Sequence, residues 1–225
     1  MLRNYIRKVL TEAMKVVSDL PDGYYVEFEE LDDDLISLAL VSETDGGVVF
    51  LEAKKVGPSW PSAGPCNGGW IVIQTSTYEE APEGFGPLLY DIAMEYATRY
   101  GNGLTPDRSS VSEAAEKVWE KYMNRRDDVT WVQLDDYDHP HGPWATKNPE
   151  QTSCKNFAVK KKLYKSLEEM EKAILTDESA YREKFLASPL TKMYQKPNPT
   201  RIKNLLRSPG KFIDQSWKKR DWSKW

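Results

Sequence analysis

The residues with the clearest chemical potential are Gly84-Phe85-Gly86-Pro87-Leu88. They lie between a β-rich run, Trp70–Tyr78, and a segment of helical period, Pro87–Tyr100. Glycine lets a backbone turn sharply and bring its N–H groups close to a ligand. A helix start supplies N–H groups without intrahelical partners and the positive end of the helix dipole. Together these features make an anion cradle suited to a pyrophosphate. The same five residues also make a tight strand-to-helix turn that holds no ligand, and the local motif leaves both readings open.

Other clusters offer less. Asp135-Asp136-Tyr137-Asp138-His139-Pro140-His141 brings oxygen and nitrogen ligands close in sequence. It reads as a solvated acidic loop more readily than as a metal site, and no metal ligands are assigned. Cys66 sits in a Pro/Gly loop with no histidine near it in sequence, so it is not expected to be a nucleophile. Cys154 is expected to pack in a strand. Glu27, Glu29 and Glu30 could draw in a cationic amine, or simply form a wet strand face.

Composition narrows the classes. The chain has 225 residues, two cysteines and two histidines. That excludes a disulfide-rich scaffold and a four-cysteine zinc site. With 31 bases against 35 acids the net charge is −4, which argues against a general nucleic-acid binder. No apolar run approaches the ~20 residues that span a bilayer. The N-terminus carries charges through its apolar stretch and no small-residue cleavage site, unlike a secretory signal.

Charge is unevenly spread. Ten acids and no base fall between Asp19 and Asp45, whereas Lys196–Trp225 holds nine bases against Asp214 and Asp221. The basic end is either solvated or docked on an acidic surface: a neighbouring chain, nucleic acid, or the protein's own acidic face. Trp217, Trp222 and Trp225 lie among those bases and favour docking, because tryptophan is costly to leave in water.

The elements that position the loop follow from periodicity. Residues 2–20 read as an amphipathic helix ended by Pro21-Asp22-Gly23. Strands are expected at Tyr24–Glu30, Leu35–Ser42, Gly47–Ala53 and Trp70–Tyr78, with a hairpin turn around Thr44-Asp45-Gly46-Gly47. The helix after the loop has Leu89, Ile92, Ala93, Tyr96, Ala97 and Tyr100 on one face, a supporting Glu95–Arg99 pair, and a stop at Gly101-Asn102-Gly103. A short extended piece, Leu104–Ser109, precedes a helix opened by a Ser110/Glu113 capping box. Further strands are expected at Val129–Leu134 and Cys154–Leu163, and further helices from Ser166 to Leu175 and from Glu178 to Ala187. After Pro189 the chain is basic and interrupted by prolines, with no regular element assigned.

Gly84-Phe85-Gly86-Pro87-Leu88-Leu89-Tyr90-Asp91-Ile92-Ala93-Met94-Glu95-Tyr96-Ala97, then Gly101, then Ser112-x-x-Ala115-x-x-Val118-Trp119-Glu120-Lys121-Tyr122, resembles the central motifs of the GNAT superfamily of acyl-CoA N-acyltransferases. The resemblance covers about residues 24–163 and is sharpest over 70–123. It implies that backbone amides of Gly84, Phe85, Gly86, Pro87 and Leu88 hold the pyrophosphate of acetyl-CoA. It implies that Thr75, Ser76 and Thr77, at the end of the fourth strand, line the pantetheine arm, and that the next strand splays away to leave a V for the thioester. In this family a tyrosine on the following helix often protonates the leaving thiolate. Trp119 falls at that place and cannot ionise usefully, so the role passes to Tyr122, one turn later.

Other departures are Ala81 where the family's loop usually begins with Arg or Gln, the acidic Glu83 beside the loop, and the short turn Asp32-Asp33-Asp34 where the family places two helices. The fold resemblance is therefore better than the activity resemblance.

Arg3-Asn4-Tyr5-Ile6-Arg7-Lys8-Val9-Leu10-Thr11-Glu12-Ala13 resembles N-terminal helices of some tailed-bacteriophage virion proteins, and Leu104–Ser112 through Arg126–Val129 looks like a phage-type variant of the acyltransferase domain. The first resemblance implies a helix that docks to a partner; the other reading is a helix packed on its own domain.

The expected architecture is α/β: a GNAT-like mixed, mainly antiparallel sheet flanked by helices. Residues 1–20 form an N-terminal amphipathic helix, 21–163 the GNAT-like domain, 164–195 a helical segment and 196–225 a basic, Trp-containing C-terminal extension. Two functions are in view. One is an acetyl-CoA dependent N-acyltransferase or its degenerate descendant. The other is a non-catalytic phage virion protein that assembles, with virion proteins or copies of itself, through residues 1–20 and 196–225. The expected location is the virion or host cytoplasm, neither secreted nor membrane-bound, with nucleic acid contacted at most by the basic tail.

Overall fold

A computed structural model describes residues 15–57, 66–134, 167–216 and 220–225. The strands are β1 (Tyr24–Asp32), β2 (Leu35–Ser42), β3 (Gly46–Lys55), β4 (Trp70–Thr77), β5 (Leu104–Thr105), β6 (Thr130–Gln133), β7 (Lys192–Gln195) and β8 (Phe212–Asp214). The helices are α1 (Gly86–Tyr100), α2 (Glu113–Arg125), α3 (Leu167–Thr176), α4 (Glu178–Ala187) and α5 (Thr200–Arg207). The strands form one mixed eight-stranded sheet in the order β6-β7-β5-β4-β3-β2-β1-β8, so the fold class is α/β. Among the described residues no helix is long and apolar enough to cross a membrane.

The expected strands at 24–30, 35–42, 47–53 and 70–78 are β1 to β4, each within a residue or two of its expected ends. Alternation explains them: Val26 and Phe28 in β1, and Ile36, Leu38 and Leu40 in β2, are buried in step. Of the helix expected over 2–20, residues 2–14 lie outside the described residues. The described end, Lys15–Leu20, contains only a short 3-10 turn at Val17–Asp19. The helix expected to open at Ser110 starts at Glu113, because Ser112 is the cap and accepts from the Ala115 N–H (3.2 Å). Several serines in that stretch compete for one cap, and only the hydroxyl adjoining the first helical residue reaches its amides. The strand expected at 154–163 lies outside the described residues.

The chain divides into two compact units that interleave in sequence: Met1–Ala53, Gln74–Tyr96 and Asn198–Trp225 in the first, Lys54–Ile73 and Ala97–Pro197 in the second. Residues 21–163 are thus shared between the units.

In the first unit β1 pairs antiparallel with β2, from Tyr24↔Ser42 to Asp32↔Leu35, with a register shift between Glu30 and Asp32. Every residue of α1 from Leu88 to Ala97 is buried. A helix covered on all sides must be apolar or have its polar groups paired.

In the second unit β4 and β5 run parallel through two residue pairs, Trp70↔Leu104 and Ile71↔Thr105. β7 pairs antiparallel with β5 and with β6. Val56, Cys66, Ile71, Leu134 and Met193 form an apolar cluster there. Cys66 is disulfide-bonded, so it has no free thiol to act as a nucleophile.

The basic end of the chain is part of the fold. β8 adds in parallel to β1 (Val26↔Phe212, Glu27↔Ile213, Phe28↔Asp214). The Glu30 N–H donates to Ser216 Oγ (2.9 Å), and the Gln215 side chain donates to Glu27 Oε1 (3.4 Å). Arg220 pairs with Glu30 and lies over the Tyr96 ring (5.0 Å). Trp222 meets Phe28 and Phe212 edge-on, both at 5.2 Å, and donates its indole N–H to Asp214 (2.7 Å). Of the surfaces open to the basic end, the described residues use the protein's own acidic strand.

Candidate functional site

The loop Gly84–Leu88 and the strand end Thr75–Thr77 both lie in the first unit. At the end of β4, Thr75 and Thr77 are exposed and Ser76 is half-buried. The strand's last backbone anchor is just beyond, where the Tyr78 N–H donates to Val48 O (2.9 Å). A turn closed by the Ala81 N–H on Tyr78 O (3.1 Å) leads into the loop.

Gly84 has φ +87°, a left-handed conformation costly for any residue with a Cβ. That turn sends Phe85 inward, where its ring is buried, and leaves Gly86 to begin α1. A Cβ on Gly86 would meet nothing within 4 Å, so the backbone there faces open space. The first turn of α1 holds no acid, and Glu83 is exposed. Lys15 comes from another part of the chain. Its Cγ would lie 3.4 Å from a Cβ on Gly84, and its ammonium is 5.9 Å from the Phe85 ring centroid.

Two of the five loop residues cannot offer an amide as a five-residue cradle would require. Pro87 has no N–H, and the Leu88 N–H donates to Phe85 O (3.0 Å). Of the five, that leaves the amides of Gly84–Gly86 for a cradle, with the Lys15 side chain beside them.

Tyr122 belongs to the second unit and is fully buried. Its ring packs against Trp119 (5.8 Å) and Tyr194 (6.2 Å), with the Arg126 guanidinium 5.5 Å above it. Tyr194 lies 5.0 Å from Trp119 and donates its hydroxyl to Pro189 O (2.7 Å). Burial pushes the Tyr194 phenol far above its usual range. Trp119 and Tyr122 thus belong to an aromatic core.

Glu95 and Asp91 are functional in a sense that their spacing concealed. Glu95, expected to support Arg99 along its own helix, is engaged at the start of α5. It is 1% exposed, and its carboxylate accepts the Arg201 N–H (2.8 Å), the Ile202 N–H (2.8 Å) and the Thr200 hydroxyl (3.4 Å) at the start of α5. Asp91, one turn earlier, pairs with the Arg201 guanidinium (2.9 Å). The available signal was two acids four residues apart inside an otherwise apolar helix.

The run Asp135–His141 lies outside the described residues. Among the described residues no group of three or more His, Cys, Asp or Glu side chains could hold a metal. Comparison of the chain with protein-family models, curated proteins and solved structures finds no match.

Proposed function

We propose that the chain is an acyl-CoA dependent N-acyltransferase of phage type, or a descendant of one, with Gly84–Gly86 taking the pyrophosphate of acetyl-CoA. The observation that supports this best is the run of elements β4, glycine loop, α1, β5. Two parallel strands are joined through a loop whose Gly84 is left-handed and whose Gly86 opens onto space. The β4–β5 ladder has two pairs, whereas β4 continues to Thr77 with its end exposed. Under the GNAT resemblance that exposed end lies along the pantetheine arm.

Bound acetyl-CoA would supply an acyl group already activated as a thioester. The chain's own part is binding and orientation. Amides at Gly84–Gly86 and the start of α1 attract the diphosphate, Lys15 adds a cation, and Thr75, Ser76 and Thr77 offer hydroxyl and backbone groups to an extended chain. Acyl transfer to an amine demands little beyond such positioning and a donor to polarise the carbonyl.

Millimolar acetyl-CoA should raise the melting temperature of the protein, since a ligand that binds only the folded state stabilises it. Gly86→Trp should abolish that rise while leaving the unliganded melting temperature close to the parent's, because the position faces open space. An unchanged melting temperature in acetyl-CoA refutes the reading.

One observation favours a second reading, a non-catalytic virion component on the same scaffold: Tyr122, the candidate acid, is enclosed in an aromatic core with Trp119. That reading expects incorporation into a particle with no response to acyl-CoA.

A further inference from the structure

We propose that residues 198–225 are an exchangeable arm that can dock on a second copy of this chain in the same way as on its own. The second unit ends at Pro197 and the first resumes at Asn198. Immediately before that boundary the chain is anchored. The Lys196 N–H donates to Thr98 Oγ1 (2.8 Å), and the buried Lys196 ammonium lies 3.4 Å from Asp128. Immediately after it, Arg201 and Ile202 are held by Glu95. Pro197-Asn198-Pro199 is all that separates the anchor from the docked arm. Two prolines in three residues make this connection stiff, and short, constrained hinges are where arms exchange between copies.

The receptor is fully separable from the arm. Its parts are the β1 edge, Glu30, Asp91, Glu95, Phe28 and Tyr96, all of which precede residue 97. A second copy presents the same set. Charge favours the encounter. The arm from Asn198 carries eight bases against two acids, and the Asp19–Asp45 run that contains β1 has ten acids and no base. Each of these contacts can be made between two chains as within one, so the balance is set by hinge geometry and by concentration. Dilute protein keeps the arm at home, and a crowded assembly lets it exchange.

A reciprocal charge reversal tests this in the full chain. Glu30→Arg and Arg220→Glu each place like charges at the receptor when the arm docks on its own chain. Mixed in equal amounts after brief unfolding and refolding, they should form a hybrid in which each arm meets its opposite charge. The expected result is a particle of twice the monomer mass by light scattering and a melting temperature restored toward the parent's. The double variant Glu30→Arg/Arg220→Glu should be monomeric with a parent-like melting temperature, which verifies that the reversed pair is tolerated. A mixture that stays monomeric and melts as the superposition of the two single variants overturns the proposal. Should a single variant fail to fold, removal of Asn198 from the otherwise unchanged chain decides it. A shortened hinge should drive the protein to a dimer, and a folded monomer with the parent's melting temperature overturns the proposal.

Discussion

The first unit contains two helix starts that solve the same physical problem in opposite ways. Both α1 and α5 begin with N–H groups that have no intrahelical partner. At α5 the partner is built in: Glu95 accepts from Arg201 and Ile202 at 2.8 Å each, and Asp91 holds the Arg201 guanidinium. At α1 the chain supplies a left-handed Gly84, a Gly86 facing open space, and no acid in the first turn. A built-in carboxylate makes a helix start part of the scaffold. Among the described residues the start of α1 shows no such carboxylate and has Lys15 beside it, and under the proposed function it is left to attract an anion from outside.

The largest expected effect lies at the closed start. Glu95→Ala removes a buried charge that three donors at the start of α5 depend on, the Arg201 and Ile202 N–H groups and the Thr200 hydroxyl. Breaking such a buried charged network typically costs about 3–5 kcal/mol. Urea denaturation should show a loss of that order, with the arm becoming sensitive to limited proteolysis. Glu95→Gln keeps an acceptor for the α5 amides and should lose less. Equal losses for the two variants would mean that the contribution is the charge, and that the packing and neutral acceptor that glutamine keeps add nothing.

That closed start also shows where the sequence was legible. β1 to β4 and α1 follow from alternation and from a helical period of apolar residues, which are local signals. β7, α5 and β8 went unassigned because each is short and lies near prolines: Pro189, Pro197, Pro199 and Pro209. Lys192–Gln195 is a strand because it is enclosed between β5 and β6, and Ile202 and Leu205 hold α5 because they are buried. A helix of eight residues has little stability without such packing.

The glycine loop was visible for the opposite reason, since left-handed backbone and a strand-to-helix switch leave a compositional mark. The donation from Leu88 to Phe85 leaves none. The part Glu95 plays at α5 left no direct mark either, because the four-residue pairing rule treats a helix acid as facing water, and from Leu88 to Ala97 α1 is buried.

The two glycines of the open start should separate under substitution. Gly84→Ala forces a Cβ into φ +87° and should cost about 1–2 kcal/mol. Gly86→Ala meets nothing within 4 Å and should change stability by less than about 0.5 kcal/mol. Denaturant midpoints of the two variants check this directly. Equal losses would mean that the space at Gly86 is not open in solution, and the contrast between the two helix starts would weaken with it.

The smallest effect concerns a carboxylate in the second unit that repeats the Glu95 arrangement in milder form. Asp128 accepts two bonds from the Arg126 guanidinium, 2.6 and 2.7 Å, and faces the buried Lys196 ammonium at 3.4 Å, yet its side chain is 41% exposed. The bonds from Arg126 chiefly, and the charges of Arg126 and Lys196, hold its carboxyl well below the usual range against some desolvation. A depressed folded-state pKa gives stability that is complete above the unfolded value, about 3.9, and is lost as pH falls below it. Asp128→Asn should therefore weaken the protein slightly at neutral pH and flatten its loss of stability between about pH 4 and pH 2. Solvent screening keeps the effect modest. Parallel stability curves for parent and variant across that window would show that Asp128 is too wet to anchor Lys196. The fixed end of the hinge would then rest on the bond from the Lys196 N–H to Thr98 Oγ1.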